Sequence, residues 1–108
     1  MPTESPRVQV EFTPEFKRVR TDIQPMIEQL EAGKFIGDQI RGTRHTVFKM
    51  RVRNSDIRRG KSAGYRLIYQ VKAPTSVVLV TIYSKLDQGD IPAHRIRQIL
   101  SEFEEHDG

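Results

Sequence analysis

Six residues near the middle of the chain, FKMRVR at positions 48–53, alternate between apolar and basic. In an extended backbone successive side chains point to opposite faces. Lys49, Arg51 and Arg53 therefore share one face, and Phe48, Met50 and Val52 share the other. Neighbours on one face of a strand are about 7 Å apart, close enough for two or three of these cations to meet one anionic group. A strand that buries one face and offers three cations on the other is suited to a polyanion. A second basic cluster, RRGK at 58–61, contributes Arg58, Arg59 and Lys61. It reads either as a loop that holds a phosphate backbone, where contacts position rather than specify, or as a solvated loop.

The charge distribution sharpens this. Ten of the eighteen basic residues lie between Arg41 and Lys72, against one acid, Asp56. The rest of the 108-residue chain is mildly acidic, although the whole carries a formal net charge of +4. A cationic region on an acidic body favours local contact with nucleic acid or an acidic partner; the alternative is a solvated charged surface. Cysteine is absent, which excludes disulfides, thiolate metal sites and a cysteine nucleophile. His45, His94 and His106 lack the close spacing of zinc motifs, so no metal or cofactor is expected. The N-terminus has no apolar signal region, and the longest apolar run, Val77–Val80, is too short to span a bilayer. The expectation is a soluble cytoplasmic protein with no membrane partner.

The elements that must carry these residues follow from pattern. The length suits a single domain over 1–108, with frayed ends at 1–6 and 106–108. RVQVEF at 7–12 alternates as a short strand. Thr13-Pro14-Glu15 starts a helix: Thr13 caps it, Pro14 takes the first position, and Glu15 meets the positive end of the dipole. Apolar residues then recur at helical spacing, interrupted by Pro25, which predicts two helices, 14–22 and 25–32, stopped by Gly33. Residues 34–45 read as loop. Strands follow at 46–54, 65–73 and 77–85, the last nearly all β-formers and so covered on both sides. A polar connection at 54–64 and a turn at 73–76 join them. Gln88-Gly89-Asp90 is a turn with Asp90 as a capping residue. The final helix, 91–105, gathers Ile96, Ile99, Leu100 and Phe103 on one face. Tyr65, Tyr69 and Tyr83 read as packed residues and His94 as a helix-surface residue. The predicted fold is α+β in the order β-α-α-β-β-β-α, an antiparallel meander with its helices packed on one face and the cations on the other.

GKSAGYRLIYQV followed by VTIYSKLDQGDI resembles the RelE/ParE toxins of bacterial toxin–antitoxin pairs. The likeness rests on Gly64-Tyr65-Arg66 entering a strand, the Leu-Ile-Tyr that follows, the apolar strand ending at Lys85, and the basic strand FKMRVR. It covers about residues 8–100 and matches the element order. The SKLDQGDI stretch is similar to the RelE/HigB-like branch. That resemblance implies the toxin of a type II toxin–antitoxin system: an endoribonuclease that cleaves mRNA in the ribosome and inhibits translation. It implies an antitoxin that wraps and silences the protein in a hetero-oligomer. ParE-like members bind DNA gyrase instead and are not nucleases, and a member that binds RNA without cutting it is a third possibility.

In such enzymes the RNA's own 2′-hydroxyl is the nucleophile, and a 2′,3′-cyclic phosphate is left. That chemistry requires a base for the hydroxyl, stabilisation of charge on the phosphate, and a proton for the leaving oxygen. By resemblance, Lys49, Arg51 and Arg66 are the catalytic residues. Arg66 would clamp the phosphate, since a guanidinium offers paired donors and keeps its charge. Lys49 would be the base, on the expectation that neighbouring cations lower its pKa. Arg53, Arg58, Arg59, Lys61 and Lys85 would hold RNA. The chain departs from the family pattern near Leu86 and Pro92, where an arginine and a tyrosine are expected. Tyr83 and His94 are candidate substitutes, and Asp87 and Asp90 read as turn residues with a possible part in the site.

Overall fold

The structure, a computed structural model, describes residues 7–19, 23–52, 65–84 and 89–107. It begins with β1 (Gln9–Phe12), α1 (Pro14–Val19) and α2 (Gln24–Glu31). Four strands follow, β2 (Asp38–Ile40), β3 (Val47–Arg51), β4 (Tyr65–Ala73) and β5 (Ser76–Ser84), and then α3 (Ala93–Asp107). The strands form one sheet in the order β1-β5-β4-β3-β2. The meander from β2 to β5 is antiparallel, whereas β1 runs parallel to β5, with Gln9 opposite Ser76. The fold is α+β, with a mixed five-stranded sheet and three helices among the described residues. No helix among the described residues is long and apolar enough to cross a membrane.

Local chemistry explains the starts and stops. The buried Thr13 hydroxyl accepts a hydrogen bond from the Phe16 N–H at 3.0 Å, the cap expected from Thr-Pro-Glu. It also donates to the Val80 carbonyl at 2.6 Å, tying α1 to β5. Val80 is the extra residue of a bulge between the pairs Ile68–Thr81 and Tyr69–Leu79. At the other end of the helical region Gly33 takes φ +84°, its N–H bonds Leu30 O, and the Lys34 N–H reaches back to Gln29 O. Those two bonds end α2 in a Schellman arrangement, which needs a residue that accepts a left-handed backbone.

Three sequence expectations need correction. The helices do not share one face of the sheet. Phe16, Ile23, Met26 and Leu30 pack with Met50, Leu67, Tyr69, Val77 and Leu79. The α3 residues Ile96, Ile99, Leu100 and Phe103 pack with Val47, Ile68, Val78 and Val80. Both faces of β4 and β5 are apolar, so both need a helix. The cations consequently lie on the same face as α3, not on a bare one. The sheet is also mixed rather than purely antiparallel. Finally, 34–45 contains the short strand β2, which is too brief to leave a periodic signal. Its entry depends on Gly37, at φ +122°: a Cβ there would lie 2.6 Å from the Lys49 carbonyl oxygen. Only glycine lets β2 come this close to β3.

Candidate nucleic-acid interface

Register determines which side chains meet. Arg51 on β3 stands opposite Arg66 on β4, and Arg66 stands opposite Tyr83 on β5. Lys49 is one step along, opposite Ile68. One row across three strands therefore reads Arg51, Arg66, Tyr83, with Lys49 beside it. The Val52 N–H bonds the Tyr65 carbonyl at 3.0 Å, so Val52 and Tyr65 form the hydrogen-bonded pair. Arg51 and Arg66 are then a non-hydrogen-bonded pair, the kind whose Cα atoms approach to about 4.5 Å and whose side chains are closest.

Two like charges directly opposite each other are unfavourable. Among the described residues no carboxylate pairs with either arginine. Arg51 is exposed, and Arg66, half-buried, donates to the carbonyl of Tyr65 at 3.2 Å. The pair holds positive charge at short range on adjacent strands of the sheet.

Asp90 closes the other side of the cluster. Its Oδ1 lies 3.3 Å from the Lys49 ammonium and accepts a hydrogen bond, also at 3.3 Å, from the Tyr83 hydroxyl. Tyr83 is buried, and the loss of solvent raises its pKa above the ordinary 10.0. The negative charge and hydrogen bond of Asp90 push the same way, while the nearby Arg66 and a backbone bond at Ile91 oppose them. The phenol stays protonated at neutral pH and serves as a donor. Lys49 thus meets an acid as well as the cations around it, a contact not expected from sequence.

The catalytic residues named from sequence, Lys49, Arg51 and Arg66, come together at one end of the α3 face. Arg53, Arg58, Arg59, Lys61 and Lys85 lie outside the described residues, as does Asp87. Tyr83 and Asp90 join the cluster. Tyr83 reads from sequence as a packed strand residue and, as the alternative, a candidate substitute for the missing tyrosine; in the structure it is buried near the end of β5. Its hydroxyl, however, needs a partner when buried, and that need was the available signal. Asp90 reads from sequence as a turn and capping residue, with a part in the site as the alternative. α3 begins three residues later, and the carboxylate reaches the sheet instead.

The first cationic strand also borders a cleft. Among the described residues β2 pairs with β3 only from Val47 to Lys49, and beyond its first residue Gln29, Ile36, Gly37, Asp38, Lys49, Met50 and Arg51 line a volume of about 410 Å³. Its floor is rigid. The buried Tyr69 hydroxyl donates to the Ile36 carbonyl, and Tyr69 packs against the rings of Phe48 and Phe35 with centroids 5.6 and 6.5 Å away. Burial pushes the Tyr69 pKa up to about 12, so this donor persists well into alkaline solution.

No protein-family model matches the chain, and a search among curated proteins found no match either.

Proposed function

We propose that this protein is a RelE/ParE-type toxin, a metal-independent endoribonuclease that cuts mRNA on the ribosome and is silenced by an antitoxin. The observation that supports this best is the directly opposed pair Arg51–Arg66, unneutralised among the described residues, with Lys49 and Tyr83 alongside. A phosphodiester entering this row supplies the missing negative charge. The guanidinium of Arg66 offers paired donors to the non-bridging oxygens, and Arg51 neutralises them from the neighbouring strand.

The 2′-oxygen attacks phosphorus, the bond from phosphorus to the 5′-oxygen breaks, and a 2′,3′-cyclic phosphate remains. The 2′-hydroxyl gives up one proton and the departing 5′-oxygen takes one, so the step is balanced without an added reagent. Asp90 accepts the proton that the 2′-hydroxyl gives up, and the leaving oxygen takes its proton from Tyr83 or from solvent. Asp90 is the carboxylate within reach, and Lys49, once released from it, stabilises the developing charge. Tyr83, held protonated, donates a hydrogen bond to the phosphate or to the leaving oxygen. In this reading Tyr83 stands in for the tyrosine that the chain lacks near Pro92.

The test is to express the protein alone, with and without Arg66→Ala, and to map mRNA 5′ ends by primer extension as growth stops. New ends that vanish in the variant support the nuclease. Arrest with intact mRNA and altered DNA supercoiling would instead support a gyrase inhibitor of the ParE type.

A further inference from the structure

The cleft beside β3 has a composition that phosphate binding does not explain. Ile36 is the one large apolar side chain exposed among the described residues, at 48%. Its backbone is not loose. Tyr69 bonds its carbonyl, Phe35 before it packs on the Tyr69 ring, and Gly37 after it is pressed against the backbone of Lys49. Ile36 thus offers an exposed apolar surface beside the cleft, on a backbone held from both sides.

The polar groups around it are selective in kind. Asp38 stands directly opposite Lys49 in the β2–β3 register, yet the lysine ammonium contacts Asp90. Among the described residues no cation pairs with the Asp38 carboxylate. It therefore lines the cleft as an acceptor, which repels a phosphate and attracts an N–H donor. Gln29, which also lines the cleft, carries an amide that both donates and accepts. Lys49 and Arg51 line the cleft and belong also to the phosphate row. The volume of about 410 Å³ lies within the range of small-molecule sites.

We infer that this cleft is a nucleobase-binding site, packing the base on Ile36 and choosing bases with an exocyclic amino group through Asp38. Cytosine and adenine present such a donor, whereas uracil presents carbonyl oxygens in its place. The inference rests on the RNA-directed function proposed above and deepens it. Arg51 and Arg66 hold the backbone, and the cleft reads a base next to it.

The experiment is fluorescence anisotropy of the full chain with labelled oligo(C), oligo(A) and oligo(U) of equal length, at fixed moderate salt. Wild type should prefer oligo(C) and oligo(A) over oligo(U) by roughly five- to tenfold. Asp38→Asn converts a pure acceptor into an amide that can also donate, so the preference should collapse to less than about twofold while the protein melts as before. Ile36→Ser should weaken all three ligands and keep their order. Arg51→Ala should weaken all three in equal proportion, as a phosphate contact does. Equal binding of the three oligomers by wild type, or unchanged affinity in Ile36→Ser, overturns the base site and leaves the phosphate row standing. No binding of any oligomer overturns the RNA-directed function itself.

Discussion

Replacing Arg51 with threonine should make the protein more stable and less able to bind phosphate. The reason lies in the register: Arg51 and Arg66 are a non-hydrogen-bonded pair, so their side chains are at the closest cross-strand spacing, with no carboxylate paired to either among the described residues. Directly opposed like charges cost on the order of 0.2–1 kcal/mol, and threonine is a good strand former. For a domain of this size that gain corresponds to a rise in Tm of roughly 1–8 °C. The effect is electrostatic, so it should be largest in dilute buffer and shrink as salt shortens the screening length. Inorganic phosphate supplies an independent arm. A ligand that binds only the folded state stabilises it by about 0.4 kcal/mol when its concentration equals Kd, and by more above that. Wild type should therefore gain Tm with added phosphate, beyond the gain from chloride at matched ionic strength, and Arg51→Thr should gain less. Differential scanning calorimetry over a salt series reads both. A lower Tm for the variant in dilute buffer would refute the reasoning, as would equal phosphate stabilisation of the two proteins.

Asp90→Asn removes the charge and hydrogen bond that help raise the Tyr83 pKa, so the phenol should titrate at lower pH, as read by tyrosinate absorbance. The partly exposed Lys49–Asp90 pair should cost less than about 1 kcal/mol when broken. Gly37→Ala should destabilise the fold by roughly 1–3 kcal/mol in urea titrations, because the new Cβ meets the Lys49 carbonyl oxygen at a backbone angle that other residues avoid. Tyr69 has its folded pKa raised from 10.0 to about 12, so the folded state holds its proton longer than the unfolded chain does. That contribution is present in full below pH 10 and is lost as pH rises from about 10 through about 12. In Tyr69→Phe the alkaline decline of Tm should be shallower.

The cationic face was legible because it depends only on alternation. Lys49 and Arg51 fall where the period of two puts them, and Arg66 joins them because β3 and β4 are sequential antiparallel strands. The helix start at Thr13 was equally local, since a cap needs only its own four residues. The placement of α3 was not legible. Ile68 and Leu67 are both apolar neighbours, and the pattern says that each face of β4 must be covered without saying by which helix. β2 leaves no signal because three residues carry no period, and Gly37 reads as loop composition rather than as clearance for Lys49. The part of Asp90 depended on a contact 41 residues distant in sequence, which no local rule reports.

The most direct test of the central claim is cleavage of a programmed mRNA on ribosomes by the purified protein, with the substrate made both as all-ribose RNA and with a single 2′-deoxy sugar at the mapped cut. The expected result is cutting of the all-ribose strand with a 2′,3′-cyclic phosphate end and none at the deoxy position. Cleavage of the deoxy substrate at that same position would contradict it.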